Sequence, residues 1–514
     1  MSLRRGSTSP IPGELDASDK LSAWSIAGRV IAAATPLTVV AGVDPVGIAV
    51  TGNNFPLVFL LIALVYGLFS NGYLAAARVC DEESQDASSG FYALIRNGLG
   101  RTVGVGAGWL AVVAYTALTL GLYGLIGSVL STPLSDLFGI ALPWQAVAIA
   151  AAALVGWLGL LKFKTPTQVL VVLVTCEVAM IGAATVANWL HPATGTRPLD
   201  ALDPHQLTVG TPVIAAQLAL AVLGYIGTEL TVVHADHARG RHSGVARATI
   251  TVLAILTVLY VLTPAGLSVT LGIDGVVTAA QTDPAGLFVR TAEANLGPQF
   301  AAILQILFAT SVLAGAISFH GTTSLYCVRL ARDSAAPAIL ERTGTKHGSP
   351  TAASVAQTIL ALAAIAAVWV TGADPVQVLF YLGGTSGAVA ILALLSFTAL
   401  STVIILRRHH RTAESRIVAA AAGLGPAIDD DRTASPARRV WRVVAALAAT
   451  LLIGALTVTV MIKLDTLLGV APDSPAPTIM RVSYLVVFLA GVGWNLWHRP
   501  PPAARATSGS EATR

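Results

Sequence analysis

A 514-residue chain that is 54% hydrophobic and only 11% charged, with a mean hydropathy of +0.73, cannot be a string of soluble domains, whose charged share is roughly 25%. Most of it must sit in an apolar solvent, which makes it an all-α polytopic membrane protein. The net charge of +4 matters less than its placement, because Lys and Arg collect on the inner side of a membrane.

The chain opens with a polar tail, MSLRRGSTSPIPGELDASDK (1–20). No small-residue cleavage site follows the first apolar run, so that run is expected to be a retained helix and not a signal peptide. A span needs about 20 apolar residues. Twelve such runs follow, near 22–50, 55–79, 102–130, 142–162, 166–190, 210–236, 245–271, 298–328, 351–371, 376–406, 441–463 and 480–497. With the N-terminus inside, 26 of the 31 Lys and Arg residues fall in inner segments. One helix too many or too few would invert every later loop, so this bias supports both the count and an orientation with both termini cytosolic.

The domain organisation expected is a ten-helix core at 21–406, a basic cytosolic loop at 407–440, two further helices within 441–497 and a disordered tail at 498–514. The loop, with RRHHRTAESR and DDDRTASPARR, is either a solvated linker or a basic face on anionic lipid. Cys80, Cys176 and Cys327 are not placed for pairing in an oxidising compartment, so three free thiols are expected.

Two spans break the rule of uniform apolarity. The first contains AATPLTVVAGVDPVG (33–47), with Pro36, Gly42 and Pro45; the sixth contains GYIGTE (224–229). Proline removes a backbone donor, and glycine permits unwound dihedrals. Irregular backbone at membrane depth is tolerated only where it is buried in protein or lines a cavity. The breaks recur five spans apart, and an odd number of spans in a repeat inverts its second copy. Matching interruptions in two inverted halves point to a midplane binding site in a secondary transporter. The free N–H groups of a half-helix there would meet an anionic group. The competing reading is that the glycines serve close helix packing and Pro36 only kinks its helix.

Three stretches resemble a known family. SSGFYALIRNGLGRTVGVGAGWLAVVAYTALTLGLYG (88–124) is similar to the second-to-third-helix region of amino acid permeases of the amino acid-polyamine-organocation (APC) superfamily. GYIGTELTVVHADHARGRHSGVARAT (224–249) resembles the family's sixth helix and following loop, and SFHGTTSLYCVRLARDSAAPAILERTGTKHGSP (318–350) its eighth helix and loop in actinobacterial-type members. The chain departs from the usual pattern at His237, Arg241, Thr116 and Gly321 and in its VAG turn. The resemblance implies a five-plus-five inverted repeat, about 22–190 and 210–406, with helices one and six discontinuous and two helices added. It places substrate at Thr35, Pro36, Thr38, Val40, Ala41 and Gly42, at Gly224, Tyr225, Ile226 and Gly227, and beside Tyr115 and Thr116 of the third helix.

An ion-coupled carrier also needs a group that changes charge inside the membrane. Glu177, in VTCEVAMIG of the fifth span, and Glu229, just past the sixth-span break, are functional candidates because intramembrane charge costs on the order of 2.5–3.5 kcal/mol. A carboxyl buried there can hold and release a proton; the alternative is a hydrogen-bonded structural acid. Arg29 either snorkels to the inner surface or pairs with an acid, and His320 either relays protons or packs. The HADH stretch at 234–237 lacks a convincing third ligand, so no metal site is expected.

No phosphate-binding loop is present, and no nucleophile, base and oxyanion set can be assembled, so neither ATP-driven transport nor an enzyme is expected. No cofactor and no nucleic-acid partner is expected. The reading is a proton-coupled permease for an amino acid or related amine in the cytoplasmic membrane, its partners being substrate, protons and lipid. A non-transporting membrane ligand sensor of the same fold is the alternative.

Overall fold

The computed structural model describes residues 22–53, 55–84, 90–161, 167–197, 199–204, 212–231, 241–284, 286–344, 349–421, 436–468, 470–471 and 473–498. The N-terminal tail, Lys162, Lys164, the HADH stretch, Arg239, residues 422–435 and the C-terminal tail lie outside the described residues. Every regular element among the described residues is helical, as a backbone without water requires.

Among the described residues, ten helices are long and apolar enough to cross a membrane. Two shorter ones complete the set of twelve spans: the fourth, Trp144–Leu160, and the sixth, Pro212–Tyr225. The fold is the expected five-plus-five inverted repeat with two added helices, and its first and sixth spans are discontinuous. A short helix, Gly90–Leu99, precedes the third span, and two more, Ile273–Thr282 and Leu287–Leu296, lie between the seventh and eighth. The tenth span, Gly384–Ala421, runs on past residue 406, so the stretch expected to be a loop from residue 407 begins as helix.

The spans form a centre and a rim. In the first, 94% of the apolar stretch is buried, against 17% in the twelfth, Ala476–Trp497. The first span therefore sits among the others, packed on the fifth (Thr167–Leu190), seventh (Arg241–Leu271) and eighth (Pro298–Arg332). Leu64, Val172, Ile250, Ile306 and Leu451 on other spans face outward, as lipid contact demands. Apolar burial gives little drive between helices in lipid, so small residues set close approaches. A Cβ on Gly491 would stand 3.0 Å from the Cα of Gly106 in the third span, Arg101–Phe138.

One end of the third and eighth spans is locked by polar contacts. Asp333 accepts from the Tyr92 hydroxyl (2.5 Å) and from Arg96 (2.7 Å), while its carbonyl accepts from Arg101. The Trp109 indole donates to Ala335 O at 2.9 Å. Burial first, and then the bond to Asp333, push the Tyr92 phenol above the ordinary tyrosine range, so it remains a donor at physiological pH. This lock holds the third and eighth spans as a frame beside which the broken spans lie.

Candidate substrate site

The first span breaks at Thr35. Helix Ala23–Ala34 ends there in a left-handed conformation, φ 47° and ψ 63°. Pro36 then opens a new helical turn, Pro36–Thr38, where its fixed φ suits a first position and its missing N–H is no loss. Leu37 is thus the first residue past the break with an amide to offer, and it donates to Glu177 Oε1 at 2.7 Å. The same oxygen accepts from the Ser311 hydroxyl of the eighth span at 2.8 Å. Helix then continues as a π turn, Val39–Val43, and an α-helix, Asp44–Thr51. Gly42 and Pro45 lie inside these helical turns and not in the break. The wider π turn ahead of Pro45 relieves the clash that proline makes with the preceding turn.

The sixth span breaks at Ile226 and Gly227. Its helix ends at Tyr225, Gly227 takes φ 103°, and a short 3₁₀ turn follows at 228–231. Gly227 N–H donates to Glu229 Oε2 at 2.8 Å, and Glu229 Oε1 accepts from the Tyr115 hydroxyl of the third span at 2.7 Å. A Cβ on Gly227 would meet Ala34 N at 3.2 Å. The two breaks therefore abut, backbone against backbone.

Beside them lies a cavity of about 60 Å³. Of the residues expected to face substrate, Thr35, Thr38 and Ile226 line it; the rest of its wall comes mainly from Val43 and Val46, Leu118 and Leu122, Leu220 and Leu223, Phe319, and Phe380, Tyr381 and Thr385. Val43 and Val46 follow the first break, whereas Leu220 and Leu223 precede the second. The cavity thus extends from the breaks toward the face opposite the start of the first span.

The remaining expected contacts lie outside that lining. Pro36, Val40 and Ala41 are buried, and Gly42 faces the Phe380 ring. Gly224 is wedged against Phe59 and Tyr260. Tyr225 joins an aromatic cluster with Phe59, Tyr66 and Tyr260, its hydroxyl donating to Phe59 O at 3.2 Å. Tyr115 is engaged by Glu229, and the Thr116 hydroxyl returns to its own helix at Val112 O, 2.7 Å away. His320 bonds Ser354 of the ninth span through Nε2 at 2.8 Å, a helix-to-helix contact.

Two features of the site go beyond the sequence reading. The tenth span supplies a wall through a second π turn, Val376–Gly383; its signal is YLGGTSG (381–387), a small and polar patch in an apolar run. Asp44, within the first span, is fully buried, and an acid in an apolar run was visible in the sequence.

Two discontinuous helices meeting at a chamber, inside an inverted repeat, define a secondary transporter and not an enzyme. The comparisons agree: the family model described as amino acid permease matches residues 21–489, and the chain belongs to that family. Among solved structures, the Eremococcus coleocola manganese transporter, in complex with an aromatic bis-isothiourea substituted compound, aligns with a TM-score of 0.54. The alignment covers 92% of this chain and 93% of that chain at 17% identity, a likeness of fold. No curated protein matches the sequence.

Proposed function

We propose that this permease carries an amino acid or a related amine across the cytoplasmic membrane by alternating access, with both termini cytosolic and with proton coupling through Glu177. The observation that supports this most is the contact of Glu177 with the Leu37 amide. A half-helix N-terminus inside a protein is where an anionic group of a substrate docks, and here a carboxylate of the fifth span occupies that position. Substrate and Glu177 then compete for one donor.

The competition gives the coupling its physical form. A carboxylate holds an amide by a charge-assisted bond roughly twice as strong as a neutral one. Protonating Glu177 weakens its hold on Leu37 and leaves that N–H to a substrate carboxylate. Losing the proton restores the bond and expels the competitor. Glu229 plays the matching part at the second break, where its bond from Tyr115 ties the sixth span to the third. Family membership supports the amino acid or amine class; manganese is the cargo of the structural neighbour.

The test is transport by the purified protein in liposomes. Glu177→Gln is expected to abolish accumulation driven by a pH gradient while sparing exchange of labelled for unlabelled substrate. Unchanged gradient-driven accumulation removes Glu177 from the mechanism. The substrate for the assay comes from a thermal-shift screen of amino acids and polyamines, since a ligand that binds the native state raises its apparent stability as the ligand concentration rises.

A further inference from the structure

Three carboxyl groups lie buried in the spans among the described residues, and they are not alike. Glu177 and Glu229, at 5% and 6% exposure, each accept hydrogen bonds from two donors. Asp44 is at 0% exposure, and neither of its oxygens has a hydrogen-bond partner among the described residues. A buried carboxylate with neither donor nor counter-charge is the costliest group a protein interior can hold, so an unsatisfied one in a native fold needs a physical reason.

The surroundings narrow that reason. Helix Asp44–Thr51 packs on the π turn before it, on Ile273–Thr282, on the sixth span and on the second, Phe55–Ser84. Among the described residues, Asp44 acts electrostatically on the hydroxyls of Tyr225 and Tyr260. Tyr66 on the second span reaches Tyr225 and Glu229 instead, Glu177 reaches Tyr260, and Asp274 on Ile273–Thr282 is exposed. The ion pairs among the described residues, Arg96–Asp333, Arg290–Asp283 and Arg332–Glu341, do not include Asp44. The Tyr260 hydroxyl is itself buried without a partner, and Pro45 next to Asp44 brings no N–H to this turn.

We propose that Asp44 is a proton-binding site, separate from Glu177 and Glu229, whose carboxyl carries its proton in this arrangement of the spans. The acid form removes the charge and supplies a donor where donors are lacking. The proton is taken from a hydronium ion of the solvent, whose O–H bond breaks as the carboxyl O–H bond forms, and a water molecule is left. Val43 and Val46, to either side of Asp44 in the sequence, line the cavity, while Asp44 itself is buried outside that lining. Proton binding here rests on burial and missing partners, and not on the transport reading.

Infrared spectroscopy of the purified protein at neutral pH tests it. The wild-type minus Asp44→Asn difference spectrum is expected to show loss of one protonated-carboxyl C=O band, and Tyr260→Phe is expected to shift that band. The amide is a neutral isostere of the acid, so Asp44→Asn is expected to fold and to elute as the wild type does on size exclusion. A difference spectrum without the band, a misfolded Asp44→Asn protein, or stabilisation of the wild type by Na⁺ that Asp44→Asn abolishes in the absence of the band each overturns the proposal. If the chain transports nothing in liposomes, the function proposed above fails while the infrared result is unaffected.

Discussion

The two breaks look alike in the sequence, each a cluster of helix-breaking residues in an apolar run, yet they are held in different ways. At the first, a threonine takes the left-handed conformation and the freed amide is bound by a carboxylate 140 residues away. At the sixth, a glycine takes that conformation and its amide is bound by a carboxylate two residues along. The first break is thus closed by another span and answers to what happens there. The second carries its own closure and is tied outward by hydroxyls, from Tyr115 to the Glu229 carboxylate, from Tyr73 to the Glu229 carbonyl at 3.4 Å and from Thr249 to Thr231 at 2.9 Å.

Removing each support separates these accounts. Glu177→Ala is expected to do the greatest harm, because it orphans the Leu37 amide, at roughly 1–3 kcal/mol for a buried group, and leaves the Ser311 hydroxyl with only its 3.4 Å bond from Thr38. Thermal unfolding in detergent measures this, and a loss no greater than that of Tyr115→Phe would erase the distinction between the breaks. Gly227→Ala comes next, at about 1–2 kcal/mol for a Cβ in the left-handed region, with Ala34 N already 3.2 Å from the new atom. An unchanged melting temperature would show that the sixth break relaxes freely.

Smaller effects sharpen the contrast. Tyr115→Phe removes one bond from Glu229 and leaves the Gly227 bond in place, so a loss of about 1 kcal/mol is expected. Thr35→Gly is expected to raise stability by up to about 1 kcal/mol in the same unfolding measurement, since glycine meets no Cβ penalty at φ 47°. A loss instead would mean that the Thr35 side chain, which lines the cavity, contributes more than its backbone strain costs.

The spans were legible because lipid forces long apolar runs to be helices, and the sixth break because glycine alone tolerates φ 103° cheaply. The first break was legible only as a region. Pro36, Gly42 and Pro45 mark where a helix is permitted to give way; the position was decided at Thr35, a β-branched residue that rarely adopts a positive φ. Glu177 and Glu229 stand out as acids in apolar runs, but that Glu177 would find the Leu37 amide depends on the packing of the fifth span against the first. Asp44 is disguised in the sequence because Asp-Pro also reads as an ordinary turn or helix start. The tenth-span wall left only the small and polar patch YLGGTSG as a signal, since a π turn itself has no distinctive composition.

The two π turns have a mechanical consequence. Each holds a surplus residue in its coil, and both border the cavity, through Val39 and Val43 on one side and Phe380 and Tyr381 on the other. Absorbing that surplus into regular α-helix swivels everything beyond it by about 100°, one residue's share of a turn. Such a swivel at 39–43 would carry Val46 off the wall and present a new stripe, with Asp44 on it, to whatever the chamber holds.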